Sequence, residues 1–222
     1  MTSEGHRKRL RERFLKGGGK ALPDYELLEL FLFGVVPRGD VKPLAKKLLE
    51  ECGSLSGLLQ ADIDKLKSIP GMGEASVAAL KAIHEISCRF IKEEVSHQPV
   101  FQSWKSVIEY CRARLSHITV EQFHLIFLDQ KHKIIADEIQ QQGTINCTPI
   151  FPREVIKRAL DLGASSLIMV HNHPSGDPTP SEADIEITRR VMKAAGELDI
   201  QVLDHLIIGR FGHVSLKEKG FI

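Results

Sequence analysis

The chain carries almost no net charge, no long apolar run and few cysteines. Its 30 Lys and Arg against 29 Asp and Glu leave +1, so no global field directs it to nucleic acid or to a membrane surface. No apolar stretch approaches the ~18–20 residues of a membrane span. The basic N-terminus is followed by no apolar segment, so no secretory signal and no membrane partner are expected. Four cysteines (Cys52, Cys88, Cys111, Cys147) stand far apart with no C-x-x-C pair. They read as reduced, mostly buried thiols of a cytoplasmic protein and argue against a cysteine-based zinc site. The single tryptophan, Trp104, cannot build a stacking platform for bases and is expected to pack near a linker. Neither a low-complexity tract nor a repeat of solenoid length is present.

The remaining composition is that of an ordinary globular protein. Its 222 residues are 42% hydrophobic and 27% charged, enough for one or two domains with their own cores. Near-neutrality conceals an asymmetry. Residues 1–20 hold Arg7, Lys8, Arg9, Arg11, Arg13, Lys16 and Lys20 against Glu4 and Glu12, which is 7 − 2 = +5. A solvated basic helix explains this cluster by itself; a neighbouring nucleic-acid motif would give it a second meaning.

Glycine and proline cut the first ninety residues into helices. Residues 17–19 are three glycines, and Asp24 is placed to cap an apolar helix over 25–33, with Gly34 just beyond. Helices are expected over 41–51, 54–60 and 62–68, then over 74–93 after Ile69-Pro70-Gly71-Met72-Gly73. Beyond the polar stretch 93–103 the pattern changes to alternating helices and strands. A helix over 103–116 precedes strands at 122–128 and 133–140, a helix over 152–162, a strand at 166–170, a helix from Ser181 to Leu198, and strands at 201–208 and 213–216. The fold class is therefore α/β. An all-helical domain over 1–95 and a linker over 96–102 precede a domain over 103–222 with a mixed sheet between helices.

The segment 66–80 resembles a helix-hairpin-helix motif. Gly71 and Gly73 permit a tight turn that side chains would obstruct, and N–H groups at the start of the next helix can then face a phosphate oxygen. Such contacts hold DNA without reading bases. Glu74 places a carboxylate near that position, which opposes DNA, and a protein-contact role for the domain stands beside this reading.

The strongest chemical signal is His171-Asn172-His173-Pro174-Ser175-Gly176-Asp177-Pro178-Thr179-Pro180-Ser181-Glu182-Ala183-Asp184. In an extended segment residues i and i+2 share a face, so His171 and His173 can converge on one ion. Ser181 suits a helix N-cap, and Asp184 falls one turn in and points back towards the histidines. Two imidazoles and one carboxylate leave a fourth tetrahedral position for water, the arrangement of catalytic zinc. Asp177 is another possible ligand, although Gly176 and Pro178 around it favour a turn role.

The H-x-H-P-x6-S-x-x-D run resembles the zinc signature of JAMM (MPN-domain) metalloproteases. With Pro152-Arg153-Glu154, Val202-Leu203-Asp204-His205, Arg38-Gly39-Asp40 and Gly71-x-Gly73, the chain resembles the bacterial RadC family over nearly its whole length. The resemblance implies a helix-hairpin-helix region ahead of an MPN domain, zinc ligands at His171, His173 and Asp184, and a role for Ser181 in stabilising a tetrahedral intermediate. It also implies a link to DNA repair. Asn172 stands where the JAMM signature commonly has Ser or Thr, matching the RadC version, and its middle position points away from the ion.

JAMM enzymes use a glutamate on an earlier strand as general acid and base. Glu138 is taken for that role here, on an apolar face where burial would raise its pKa; Glu154 is the reserve candidate. His205 and Asp204 are assigned structural roles. The expected activity is a zinc-dependent hydrolase, a metallopeptidase acting on a protein or peptide substrate, with possible non-specific DNA binding. Alternatives are a DNA-repair adaptor with a structural or vestigial metal site, and a metal-dependent nuclease.

Overall fold

Glycine and proline set some of the helix ends, but Asp24 does not cap its helix: it lies inside it, behind Pro23, and that helix runs through Gly34 to Val35. The computed structural model describes residues 3–142 and 150–222, and the expected buried thiol at Cys147 lies outside them. The chain divides into two compact units, Met1–Ile86 and Ser87–Ile222. Helices α1 (Ser3–Gly17), α2 (Asp24–Val35), α3 (Lys42–Cys52), α4 (Leu55–Gln60) and α5 (Ile63–Ser68) form the first, together with the start of α6 (Glu74–Ser96). Ser54 caps α4 and Asp62 caps α5 through their side chains, while Gly53 ends α3 at φ 77°, a conformation glycine adopts without penalty. Leu28, Leu32, Ala45, Leu48, Leu58, Leu66, Ile69, Met72, Val77 and Leu80 close over one another as its core.

Part of the basic cluster is committed inside this unit. Arg7 donates to the carbonyls of Val36 at 2.9 Å and Gly39 at 3.0 Å, closing the end of α2. Its guanidinium also lies over the Phe33 ring. Arg13 pairs with Glu26, and His6 meets the fully buried Glu29 at 2.7 Å. The +5 of the leading segment is thus not all displayed to a partner.

The second unit contains the end of α6, α7 (Trp104–Leu115), β1 (Gln122–Leu128), β2 (Ile134–Gln142), α8 (Pro152–Asp161), β3 (Ser166–Asn172), α9 (Glu182–Gly196), β4 (Gln201–Ile208) and β5 (His213–Ser215). Residues 97–103 join α6 to α7 around Val100, which is fully buried. The sheet runs β2-β1-β3-β4-β5. β3 and β4 are parallel, with α9 as the crossover, and the other neighbours are antiparallel.

Alternation along the strands divides the core into two layers. Leu167 and Met169 of β3 face α8 and α9, packing with Phe123, Leu125, Phe127, Val155, Ile156, Val191 and Ala195. Ile168 and Val170 face α7, packing with Val107, Tyr110, Leu115 and Ile126. Both faces of β1 and β3 are buried, which explains their continuous apolar runs. Among the described residues no helix is long and apolar enough to cross a membrane.

Candidate metal centre

Strand parity delivers the two histidines. His171 lies one residue before the end of β3, on the face of Leu167 and Met169, and His173 follows two residues later, just past the strand. His173 is held by the turn behind it: its backbone N–H donates to Ile208 O at 2.9 Å, and its Nδ1 donates to Asp177 O at 2.8 Å. His171 is almost fully buried, and its Nδ1 lies 2.8 Å from Nε2 of His205. Both rings are therefore engaged at Nδ1 and turn their Nε2 atoms to one point, 2.9 Å apart.

The helix that follows supplies the carboxylate. Ser181 caps α9 and forms a reciprocal capping box with Asp184. Asp184 Oδ2 accepts from Ser181 N at 2.8 Å and from Ser181 Oγ at 2.7 Å. Asp184 Oδ1 lies 3.3 Å from His171 Nε2, and Oδ2 lies 3.6 Å from His173 Nε2. A tetrahedral zinc site with bonds of ~2.0–2.1 Å has ligand-to-ligand edges of about 3.3 Å. The three separations bracket that edge, so the donor set fits such an ion. Asp177 stays outside: its carboxylate accepts from Thr179 N and Oγ1 and closes the turn.

The electrostatics suit a ligand set. Burial pushes the His171 imidazole down to about 4, so it is neutral near pH 7. Burial alone would raise the Asp184 carboxyl; hydrogen bonds from His173 and Ser181 hold it well below the usual carboxylate range. Hydrogen bonding to Asp184 raises His173.

Glu121, immediately before β1, is the acidic neighbour that the sequence did not single out. Phe123 pairs with His171 at the end of the β1–β3 ladder; Glu121 lies two residues before Phe123, as His173 lies two residues after His171. Burial raises its carboxyl; the nearby His173 charge acts against this and Asp184 with it. Asn172, pointing to the opposite face, fixes the segment that carries Glu121. Its amide nitrogen donates to Ile118 O at 3.1 Å and Val120 O at 3.2 Å, and its Oδ1 accepts from Gln122 N at 2.9 Å.

Glu138 does not join the cluster. On the edge strand β2 it pairs with Leu125, in the row of Met169, four residues from His173. At ~3.3 Å per residue that is about 13 Å along the strand alone. Both of its oxygens accept from Arg158, at 2.7 and 2.5 Å, and this bonding lowers the carboxyl, the reverse of the expected rise. A sequence shows which face Glu138 occupies but not that an arginine twenty residues away already holds it. Glu154 sits in the first turn of α8 beside Arg153 and is also outside the cluster. Ser181 belongs to it, although its hydroxyl hydrogen goes to Asp184, so an oxyanion would have to displace that bond. Asp204 is structural, accepting from His205 N, Ser215 Oγ and Lys217 N, whereas His205 lies directly against His171 of the cluster.

In the helical unit, Gly71 and Gly73 do form the turn between α5 and α6, closed by Met72 N donating to Ile69 O at 3.0 Å. Gly71 stands at φ 97° with Leu44 against it; at Gly73 φ is not positive and a Cβ would meet nothing within 4 Å.

Comparison with known proteins follows the same division. Residues 101–221 match the RadC-like JAB domain family, and residues 3–78 match the UPF0758 N-terminal family. A UPF0758 protein from Ruegeria pomeroyi is 48% identical over 217 residues, covering 98% of this chain and 97% of the relative. Another from Rhodobacter capsulatus is 49% identical over 213 residues, covering 96% of this chain and all of the relative. With the sheet, the His171–His173–Asp184 cluster and both matches in place, the chain belongs to the UPF0758 family and carries a RadC-like JAB domain.

Proposed function

We propose that this protein is a zinc-dependent hydrolase of the metallopeptidase type that cuts a peptide or isopeptide bond. The observation that carries the reading is the convergence of two Nε2 atoms and one carboxylate at metal-like separations. A zinc ion held there would supply a coordinated water of lowered pKa and polarise an amide carbonyl. His171, His173 and Asp184 would hold it, and Ser181 orients Asp184. Glu121 takes a proton from the attacking water and returns it to the leaving nitrogen, a task suited to a carboxyl raised by burial. Asn172 keeps that carboxylate in reach. In the turn at Gly71 and Gly73, the open backbone at Gly73 supports non-specific DNA association, since it can approach a phosphate closely.

The test uses the full chain purified without chelator. It should contain about one zinc per chain, and a mixed panel of peptide and isopeptide-linked substrates should be cut by wild type but not by His171→Ala or Asp184→Ala. A chain that takes up no zinc, or cleavage that persists in both variants, overturns the reading. Metal-dependent cleavage of nucleic acid with none of peptide would replace it with a nuclease.

A further inference from the structure

His171 is held from behind by two buried polar residues, Thr188 of α9 and His205 of β4, both 0% exposed. Thr188 Oγ1 lies 2.5 Å from Asp184 O and 2.6 Å from His205 Nδ1, and His205 Nε2 lies 2.8 Å from His171 Nδ1. With no solvent at these atoms, each contact needs one hydrogen between its two heavy atoms. A carbonyl oxygen accepts and cannot donate. Thr188 must therefore give its hydroxyl hydrogen to Asp184 O, which leaves its oxygen as an acceptor. His205 then carries its hydrogen on Nδ1 and donates it to Thr188, so His205 Nε2 holds a lone pair. His171 in turn donates from Nδ1, and its own Nε2 is left as a lone pair aimed at His173 and Asp184. The polarity of the whole chain follows from one backbone carbonyl.

We propose that Thr188 and His205 are positioning residues that fix the tautomer and ring orientation of His171, making its Nε2 a ready metal donor; this rests on reading the cluster as a metal site. The Phe123 ring supports the orientation, stacking on His171 with centroids 6.0 Å apart at 17° and meeting His205 edge-on at 5.5 Å. A ligating imidazole is ordinarily oriented by a partner on its other nitrogen. Here that partner is a second imidazole, which could present either a hydrogen or a lone pair, and Thr188 removes the ambiguity. Asp184 is tied into the same unit twice, through its carboxylate at the cluster and its carbonyl at Thr188. One turn of α9 thus supplies a ligand and sets the state of another.

The first measurement needs no variant and no metal. Long-range proton–nitrogen NMR of the zinc-free full chain, labelled at histidine nitrogens, should show His171 and His205 both hydrogen-bearing at Nδ1. A hydrogen at Nε2 of either residue overturns the proposal. The second measurement is zinc affinity by chelator competition. Thr188→Val keeps the shape but can neither accept from His205 nor donate to Asp184, and should weaken zinc binding by roughly 10–100-fold, the range for lost outer partners. Thr188→Ser restores the hydroxyl and should return most of that affinity. Unchanged affinity and an unchanged His171 tautomer in Thr188→Val would overturn the relay even if the site binds zinc. If wild type binds no zinc, the hydrolase reading fails, while the tautomer spectra still decide the relay.

Discussion

The Glu121 carboxyl lies within electrostatic reach of His173, two residues before Phe123, whose ladder partner is His171. The carboxylate therefore arrives from a neighbouring strand, not from the segment that supplies the histidines. Glu121→Gln should keep zinc and fold but lower the rate by about 10²–10⁴-fold, the usual worth of a positioned acid and base. Because burial raises the carboxyl, wild-type activity should fall on acidification at a higher pH than an ordinary glutamate would dictate. Rate profiles against pH, with metal content measured in parallel, check both outcomes.

Glu138→Gln supplies the contrasting result. Its carboxylate is engaged by Arg158 away from the cluster, so peptide cleavage and zinc content should match wild type. A loss comparable to that of Glu121→Gln would return Glu138 to the mechanism and remove Glu121 from it.

Asn172→Asp replaces an amide that donates to two carbonyls with a carboxylate that cannot. Leaving Ile118 O and Val120 O unmatched should destabilise the protein by about 1–3 kcal/mol. The turnover number should drop while zinc affinity holds, because the clamp lies on the side of β3 away from the ligands. Thermal melts and steady-state kinetics on the same preparation separate the two effects.

A buried polar group on the α7 side of the sheet predicts acid sensitivity. Burial alone would raise Asp137; hydrogen bonds from His124 and Tyr110 and the charge of Lys92 bring its carboxyl below the usual value. A carboxyl lowered on folding contributes stability above its unfolded pKa of about 4 and loses it as pH falls through the folded value. Asp137→Asn should cost roughly 1.5–3 kcal/mol at pH 7, and the gap from wild type should narrow below about pH 4. Urea titrations at pH 7 and pH 3.5 give the comparison.

The two hairpin glycines should behave differently. Gly71→Ala forces a side chain into φ 97° against Leu44 and should cost about 1–3 kcal/mol. Gly73→Ala meets nothing within 4 Å and should leave stability within about 0.5 kcal/mol. If DNA approaches this backbone, Gly73→Ala weakens duplex binding, and wild-type affinity falls steeply with salt. Binding that ignores both the substitution and the salt would assign the turn to protein contact.

Short-range relations in the sequence are the ones that survive in the fold. His171, His173, Ser181 and Asp184 lie within fourteen residues, and their geometry follows from strand alternation and one helix cap, both local rules. Glu121 escaped notice because its place depends on which strands pair, a relation spanning some fifty residues. Its signal was a carboxylate two positions before Phe123, at the start of a run buried on both faces. Glu138 misled for the same reason, since parity is local but Arg158 is not. His205 and Thr188 were polar residues in apolar patterns, and only the packing of α9 against β4 shows that they meet.

The tripeptide at the end of β3 has a further consequence. His171 and His173 serve one side of the sheet while Asn172 serves the other, so adjacent residues hold two different structures in place. Adding or deleting one residue within β3 would reverse these assignments, turning an amide towards the ion position and two imidazoles towards the carbonyls of residues 118 and 120. Any change in strand length would thus disable ligation and the Glu121 clamp together, even with every side chain retained. Substitutions can test the parts of this centre one at a time, but an insertion or deletion cannot.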